Sequence, residues 1–260
     1  MVNGLQLIAD MLHLVAIIIL LLRICVKTSC ADVSIKSQIL FCIVYCARYM
    51  DLFTVYISTY NSAMKIGYIG VSLLTILLIH LKSRNNNENA SHHDSFRIEF
   101  LVVPCALLAL FVNHEFTCLE VLWTFSIYLE AVAILPQFFL ICKIGKAERL
   151  TVCYLVVLWL YRVFYLTKWG VKYVNEGSFD FVSVLGGIVQ TSIYIAFLFY
   201  FIINISRGKN LASNLINSPL TLSSEDNLKE KATSASVYCI PIIPDHSISH
   251  NIDIKKVLKQ

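Results

Sequence analysis

The sequence is poor in charged residues. Only 15% of its 260 residues are Asp, Glu, Lys or Arg, whereas 57% are hydrophobic and the mean hydropathy is +0.70. A single water-soluble core cannot bury this much apolar surface, so we expect the excess to face lipid. The net charge of +4 is small and does not indicate a nucleic-acid-binding protein.

The sequence also lacks the patterns of metal sites and catalytic sites. None of its nine cysteines forms a CxxC pair or has a nearby His that would complete a metal site. We interpret the cysteines of the apolar segments as small apolar side chains. No Ser, His and Asp set converges, and His92 and His93 lie in a polar loop. We therefore expect no metal, no cofactor and no enzymatic activity.

Long apolar runs recur along the chain. A helix needs about 20 apolar residues to cross a bilayer, and lipid offers the backbone no hydrogen-bond partner, so these runs must form helices. We predict an all-α membrane protein of seven transmembrane helices. The predicted spans are residues 5–23, 38–59, 62–81, 98–113, 118–141, 150–170 and 179–204.

Basic residues predict the orientation of the chain. No Lys or Arg precedes the first apolar run, whereas Arg23 and Lys27 follow it. This asymmetry predicts an uncleaved anchor with a lumenal N-terminus and a cytosolic C-terminus. Most basic residues then fall on the cytosolic side, as the positive-inside rule requires. The lysines left on the lumenal side are Lys65, Lys168 and Lys172.

Polar segments divide the chain. From Arg207 onward the sequence is polar and rich in Ser and Asn, which predicts a membrane domain of residues 1–206 and a disordered cytosolic tail of residues 207–260. A short echo links Ser37-Gln38 in the second helix to Pro136-Gln137 in the fifth. It indicates either parallel three-helix repeats or a coincidence between common dipeptides.

Ionisable residues stand inside the predicted helices, where each costs about 2.5–3.5 kcal/mol unless it is paired or lines a wet cavity. They are His13, Arg48, Asp51, Glu120, Glu130, Arg162 and Asp180. Two interpretations are open. The first is a set of ion pairs that hold helices together, although apolar packing would usually stabilise as well. The second is a polar pocket open to the lumen.

Such a pocket suits a ligand with several negative charges and one positive charge. Arg48 and Arg162, with Lys172 as a further candidate, supply cations, and arginine recognises carboxylates by two-point contacts. Trp123 beside Glu120 suits an ammonium group through cation–π contact and ion pairing. Capture of a free C-terminal carboxylate belongs to the same chemistry.

Several segments resemble the KDEL receptor family. They are IKSQILF at residues 35–41, ARYMDLFT at 47–54, FRIEFLVVP at 96–104, and the run 119–137 that contains WTFSIYLE and AILPQ. The resemblance covers residues 1 to about 208. It implies two three-helix bundles around a linker helix, similar to SWEET and PQ-loop transporters.

The resemblance also implies a function. Members bind the C-terminal KDEL-like tetrapeptide of escaped endoplasmic reticulum (ER) lumenal proteins in the acidic Golgi. They recruit coatomer on the cytosolic face and release the cargo in the neutral ER after retrograde transport. We therefore expect a multi-pass protein of the ER and Golgi membranes.

The resemblance assigns roles to the candidate residues. Arg48 and Tyr49 receive the terminal carboxylate, while Asp51, Glu120 and Trp123 lie at the ligand's basic residue. The polar network behind the pocket contains Glu130, Tyr161, Arg162 and Tyr165, to which we add Asp180. His13 takes part in pH sensing, since an imidazole with a pKa near 6.5 changes charge between the two compartments. An ordinary hydrogen-bonded histidine is the alternative.

Three positions depart from the family pattern. Gln6 and Lys172 stand where the family has arginines, and Ala196 replaces an aspartate implicated in transport. These departures leave open a degenerate receptor with altered ligand specificity. The shared fold leaves open a small-solute transporter.

Overall fold

The computed structural model describes residues 2–27, 30–53, 59–85, 96–145, 147–177 and 180–217. Every regular element in these ranges is a helix, which confirms the all-α prediction. The helices are α1 (Val2–Val26), α2 (Ile35–Arg48), a short 3-10 helix (Met50–Phe53), α3 (Thr59–Asn85), α4 (Glu99–Phe111), α5 (Cys118–Val132), α6 (Leu135–Ile144), α7 (Arg149–Glu176) and α8 (Phe181–Asn217).

Five helical segments of the described chain are long and apolar enough to cross a membrane. They are Gly4–Val26, Asn61–Arg84, Cys118–Ile144, Arg149–Glu176 and Phe181–Asn204. The helices α2 and α4 have 14 and 13 residues, which gives lengths of about 20 Å. Large apolar side chains remain exposed, including Phe100 at 70% and Phe111 at 84%, as expected for a surface that contacts lipid.

The helices form two groups of three. In the first group α3 packs on α1 and α2, and in the second α8 packs on α5 and α7. Contacts between α1 and α7 and between α2 and α5 join the groups, while α4 packs on α5. The buried core includes Leu40, Leu129 and Leu155, each at most 1% exposed. This arrangement agrees with the prediction of two three-helix bundles and a linker helix.

The predicted fifth span, residues 118–141, is broken in the middle. Helix α5 ends at Val132, and α6 begins at Leu135 with Pro136 in its first turn. A proline lacks the N–H that the helix would use, and its ring clashes with the carbonyl four residues earlier, here that of Val132. The α6 helix ends at Ile144 and is capped by Gly145, whose φ of 69° is the left-handed conformation that glycine adopts readily.

The predicted second span, residues 38–59, is not one continuous α-helix, and its residues 54–58 lie outside the described ranges. Helix α2 stops at Arg48 and a 3-10 helix follows, so Asp51 lies outside the α-helix. The Nζ of Lys65 on α3 donates to the Asp51 carboxylate at 2.6 Å. Because the α-helix ends before Asp51, Arg48 and Asp51 do not share one α-helical face.

Helix α8 continues to Asn217, beyond the domain boundary predicted at residue 206. Residues 207–217 contain no proline, and Leu211, Ala212 and Leu215 favour a helix. Residues 218–260 lie outside the described ranges. The predicted disorder of the tail therefore stays a prediction for those residues.

The two dipeptides of the sequence echo contact each other. The Gln137 N–H donates to Ser37 Oγ at 2.9 Å, and the Ser34 N–H donates to Gln137 Oε1 at 2.8 Å. The start of α2 thus meets the end of the fifth span, and these segments run in opposite directions. Equivalent positions of parallel repeats lie in helices that run in the same direction, so the echo is not a repeat.

Candidate ligand pocket

A cavity of about 500 Å³, here called the pocket, lies between the two helix groups. Its lining comes from α1, α2, α3, α5, α7 and α8. Eight of the predicted site residues line it, although they are spread over residues 13–165 of the sequence. They are His13, Arg48, Tyr49, Trp123, Glu130, Tyr161, Arg162 and Tyr165.

The floor of the pocket is an ionic group centred on Glu130, which is 2% exposed. The Nη2 atoms of Arg48 and Arg162 each lie 2.7 Å from Glu130 Oε2. The Tyr161 hydroxyl donates to Glu130 Oε1 at 2.7 Å. We call these four residues the Glu130 network. Two cations share one anion, so the network carries one surplus positive charge, and a buried charge without a counter-ion is costly.

Further hydrogen bonds orient the Glu130 network. Arg48 Nε donates to Ser126 Oγ at 3.1 Å, and the Ser126 hydroxyl donates to the Trp123 carbonyl at 2.6 Å. Gln190 on α8 donates to the Tyr161 hydroxyl at 3.3 Å. Within the described part of the chain, Arg162 Nε is buried without a hydrogen-bond acceptor. The network thus holds its arginines in place while keeping donor capacity unused.

An aromatic wall encloses His13, which is 8% exposed. Its ring stacks on Tyr161 at 4.4 Å between centroids and on Tyr68 at 5.1 Å. The Tyr45 hydroxyl lies 2.8 Å from His13 Nε2. Because Tyr161 also bonds Glu130, a single side chain links the imidazole to the Glu130 carboxylate.

Asp10 belongs to the pocket and was missed by the sequence reasoning. Its carboxylate accepts a hydrogen bond from the Tyr165 hydroxyl, and its carbonyl accepts one from Tyr68 at 3.3 Å. It stands in the apolar first helix three residues before His13. The criterion that singles out His13, an ionisable residue inside an apolar run, would have found Asp10 as well.

A second cavity of about 530 Å³ adjoins the pocket. Among the described residues, Arg48 and Trp123 line both cavities, whereas Asp51 and Glu120 line only the second cavity. The structure therefore places these two predicted carboxylates beside the pocket.

The structure does not bring Lys172 or Asp180 into either cavity. The Asp180 carboxylate accepts from the Ser183 N–H at 3.1 Å at the start of α8, and His114 Nε2 lies 3.2 Å from it. Burial acts to raise the pKa of the Asp180 carboxyl, but the hydrogen bonds from Ser183 and His114 outweigh it, so this pKa lies below its ordinary value. These contacts make Asp180 a cap of α8, and its predicted place in the network behind the pocket stays a prediction.

A second ionic group, the distal cluster, occupies the opposite end of the bundle. Asp32 pairs with Arg23 and accepts hydrogen bonds from Thr151 Oγ1 at 2.6 Å and the Glu148 N–H at 3.1 Å. Arg23 Nε also lies 2.5 Å from the Glu148 carboxylate. The distal cluster, formed by Arg23, Asp32, Glu148 and Thr151, ties α1 and the start of α2 to the start of α7.

The fold and the site define a class: a helical membrane protein with a buried cationic pocket. A family profile described as ER lumen protein retaining receptor matches residues 29–172. The chain is 52% identical over 202 residues to the ER lumen protein-retaining receptor of Drosophila melanogaster, covering 78% of this chain and 94% of that relative. It is 50% identical over 210 residues to ER lumen protein-retaining receptor 2 of Gallus gallus and of Homo sapiens, covering 81% of this chain and 98% of each relative. The chain belongs to the KDEL receptor family.

Proposed function

We propose that this chain binds the C-terminal KDEL-like tetrapeptide of escaped ER lumenal proteins in the acidic Golgi. It then returns them to the ER by retrograde transport and releases them at neutral pH. The names of its relatives, which are retaining receptors for ER lumen proteins, support this proposal.

The observation that carries the proposal is the shared carboxylate of Glu130. Arg48 and Arg162 both contact Glu130 Oε2, and one anion cannot neutralise two cations. A terminal carboxylate that enters the pocket supplies the missing negative charge. Charge-assisted bonds to arginine are roughly twice as strong as neutral ones, and Tyr49 in the lining provides a further hydroxyl.

The adjoining cavity suits the basic residue of the peptide. Asp51 and Glu120 bring carboxylates to it, and Trp123 stands between it and the pocket. An ammonium group there can combine ion pairing with a cation–π contact. Anionic and cationic ends of one peptide then occupy neighbouring cavities.

Proton uptake by His13 supports release and capture at different pH. A proton on the imidazole adds positive charge to the pocket and so favours an anionic ligand, and by linkage the bound ligand favours the protonated imidazole. Acidification therefore tightens binding and neutralisation weakens it. The stacking of His13 on Tyr161, which bonds Glu130, gives this proton a short route of influence on the floor.

The distribution of basic residues supports a lumenal pocket. Lys65 lies at the pocket, whereas Arg23 and Lys82 lie at the end with the distal cluster. The positive-inside rule places the richer basic end in the cytosol, which leaves the N-terminus lumenal. Coatomer would then meet the receptor at the distal end, from which the C-terminal segment emerges.

Neither alternative function gains a specific observation. A small-solute transporter needs access to its site from both ends, and the distal cluster ties the helices together at the end away from the pocket. A degenerate receptor would be expected to lose its binding groups. Gln6 lines the pocket without a charge, but the Glu130 network, which would receive the terminal carboxylate, is complete.

The test is a titration of the purified full chain in lipid nanodiscs with a labelled peptide ending in KDEL, at pH 5.5 and pH 7.5. We expect at least about tenfold tighter binding at the acidic pH, a change of about 1.4 kcal/mol. Equal affinity at both pH values would refute the switch.

Two comparisons test the role of the pocket floor. A peptide with an amidated C-terminus, and separately the variants Arg48→Met and Arg162→Met, should each lower affinity by about 100-fold, as expected for loss of a buried charged contact. Arg84→Gln at the distal end is the matched control and should leave affinity unchanged. Full binding of the amidated peptide would contradict carboxylate capture.

A further inference from the structure

Lys168 places a cation at the edge of the pocket. Its Nζ donates to Gln6 Oε1 at 3.1 Å and lies 5.6 Å from the centre of the Tyr165 ring. Gln6 and Tyr165 both line the pocket. Lys168 is a half-buried residue, and its solvent-accessible hydrogen bond to Gln6 holds the ammonium group at the edge of the pocket.

Lys168 forms no ion pair with another described residue, although the Asp10 carboxylate acts on it at longer range. Its contacts are the amide oxygen of Gln6 and the face of Tyr165, both of which are neutral. The nearest carboxylate on this side, Asp10, accepts its hydrogen bond from the Tyr165 hydroxyl. A neutral amide positions an ammonium without cancelling its charge, which leaves the charge available to a ligand.

The spacing along α7 relates Lys168 to the pocket floor. Lys168 follows Arg162 by six residues, which is about 9 Å along an α-helix. An extended peptide advances about 3.3 Å per residue. A peptide whose terminal carboxylate reaches Arg162 therefore passes Lys168 with about the second or third residue from its C-terminal end, which is one or two positions before the last residue.

We infer that Lys168 is a specificity-determining residue that pairs with an acidic side chain one or two positions before the last residue of the peptide. The inference rests on the proposed function. Gln6 is its positioning residue and presents the ammonium group. Gln6 on α1 is neutral, so the positive charge at this contact comes from Lys168 on α7.

The inference also predicts a chemical preference. An ammonium group is a compact point charge that makes one ion pair, unlike the planar fork of arginine. Selectivity at Lys168 should therefore depend on the ligand's charge more than on the geometry of its carboxylate. Glutamate and aspartate at the same peptide position should bind with similar affinities.

A coupling experiment tests the inference. The full chain and Lys168→Met, which keeps the length of the side chain and removes its charge, are titrated with peptides ending in KDEL, KNEL and KDQL at pH 5.5. We expect Lys168→Met to weaken KDEL binding by about twofold to fivefold, the range of a partly exposed ion pair. One of the two peptides that lack one acidic residue, KNEL or KDQL, should bind Lys168→Met almost as tightly as it binds the unmodified chain. Lys168→Arg should restore binding of KDEL.

The controls separate the possible failures. Arg84→Gln removes a cation from the distal end and should leave all three affinities unchanged. If Lys168→Met weakens all three peptides equally, or none of them, the pairing is overturned while the proposed function stands. If the unmodified chain binds none of the peptides, the proposed function is overturned together with this inference.

Discussion

The imidazole of His13 lies flat against the ring of Tyr161, with 4.4 Å between the ring centroids and 6° between their planes. The Tyr161 hydroxyl reaches past this stack to Glu130. Tyr161 therefore contacts both the imidazole and Glu130. A charge gained by the imidazole acts on the two arginines through this side chain. This relationship leads to the first prediction.

Replacing His13 with Asn should remove most of the pH dependence of peptide binding. The amide keeps a hydrogen-bonding group toward Tyr45 but takes up no proton. The ratio of affinities at pH 5.5 and pH 7.5 should fall from about tenfold or more to about twofold or less. The measurement is the peptide titration at both pH values. His80→Asn, an exposed histidine of α3, should keep the full ratio, and an unchanged ratio in His13→Asn would assign the switch elsewhere.

Replacing Glu130 with Gln should destabilise the folded protein by about 3–5 kcal/mol, the cost of breaking a buried ionic group. Arg48 and Arg162 would then face each other without a counter-ion. The measurement is thermal unfolding of the purified chain in detergent. Glu99→Gln, which changes an exposed carboxylate at the start of α4, is the control and should unfold at the original temperature. Equal unfolding temperatures for both variants would show that Glu130 does not stabilise the bundle.

Replacing Asp32 with Asn should also lower stability, by about 3 kcal/mol, because Asp32 is a buried partner of Arg23. Peptide affinity should stay close to the original, since the distal cluster lies at the other end from the pocket. Unfolding and titration of the same sample measure both effects. Glu176→Gln, an exposed carboxylate at the end of α7, should change neither. A loss of affinity without a loss of stability would contradict this division of roles.

The Asp180 carboxyl should stabilise the protein in a pH-dependent way. Its pKa in the folded state is lowered, so its contribution is present above the ordinary Asp pKa of about 3.9 and is lost as pH falls through the lowered value. Asp180→Asn should therefore unfold at a lower temperature than the unmodified chain at pH 6. The two unfolding temperatures should converge as the pH falls below about 4. A constant difference between pH 6 and pH 3 would contradict the lowered pKa.

Replacing Gly186 with Ala should destabilise the contact between α8 and α5. A Cβ atom at Gly186 would lie 2.6 Å from Ile127 Cγ2, and a β-branched side chain in a helix has little freedom to move away. We expect a loss of about 1–3 kcal/mol, measured by thermal unfolding. At Gly67 an added Cβ meets nothing within 4 Å. Gly67→Ala should therefore leave stability unchanged or raise it slightly.

The pocket could be predicted from the sequence to the extent that charge in an apolar segment stands out. Arg48, Glu130 and Arg162 are conspicuous for this reason, and the structure brings them into direct contact. Both interpretations of these charges hold in part, because the residues pair with one another and also line a cavity. Asp10 also satisfies this criterion, because it is an ionisable residue inside an apolar helix.

Other features could not be predicted because hydropathy averages over a window and does not record backbone direction. The apolar character of the second span continues past Arg48, although the α-helix stops there. The contact between Lys168 and Gln6 joins residues 162 positions apart. A single sequence contains no signal that pairs two such distant polar residues.

The shared carboxylate of Glu130 has a mechanical consequence. Its oxygens anchor α2 through Arg48 and α7 through Arg162, so neither helix can move away from α5 without exposing a bare charge to a medium of low polarity. A ligand carboxylate that replaces Glu130 as the partner of one arginine would release that arginine's helix from α5. Ligand binding would then allow this helix to move.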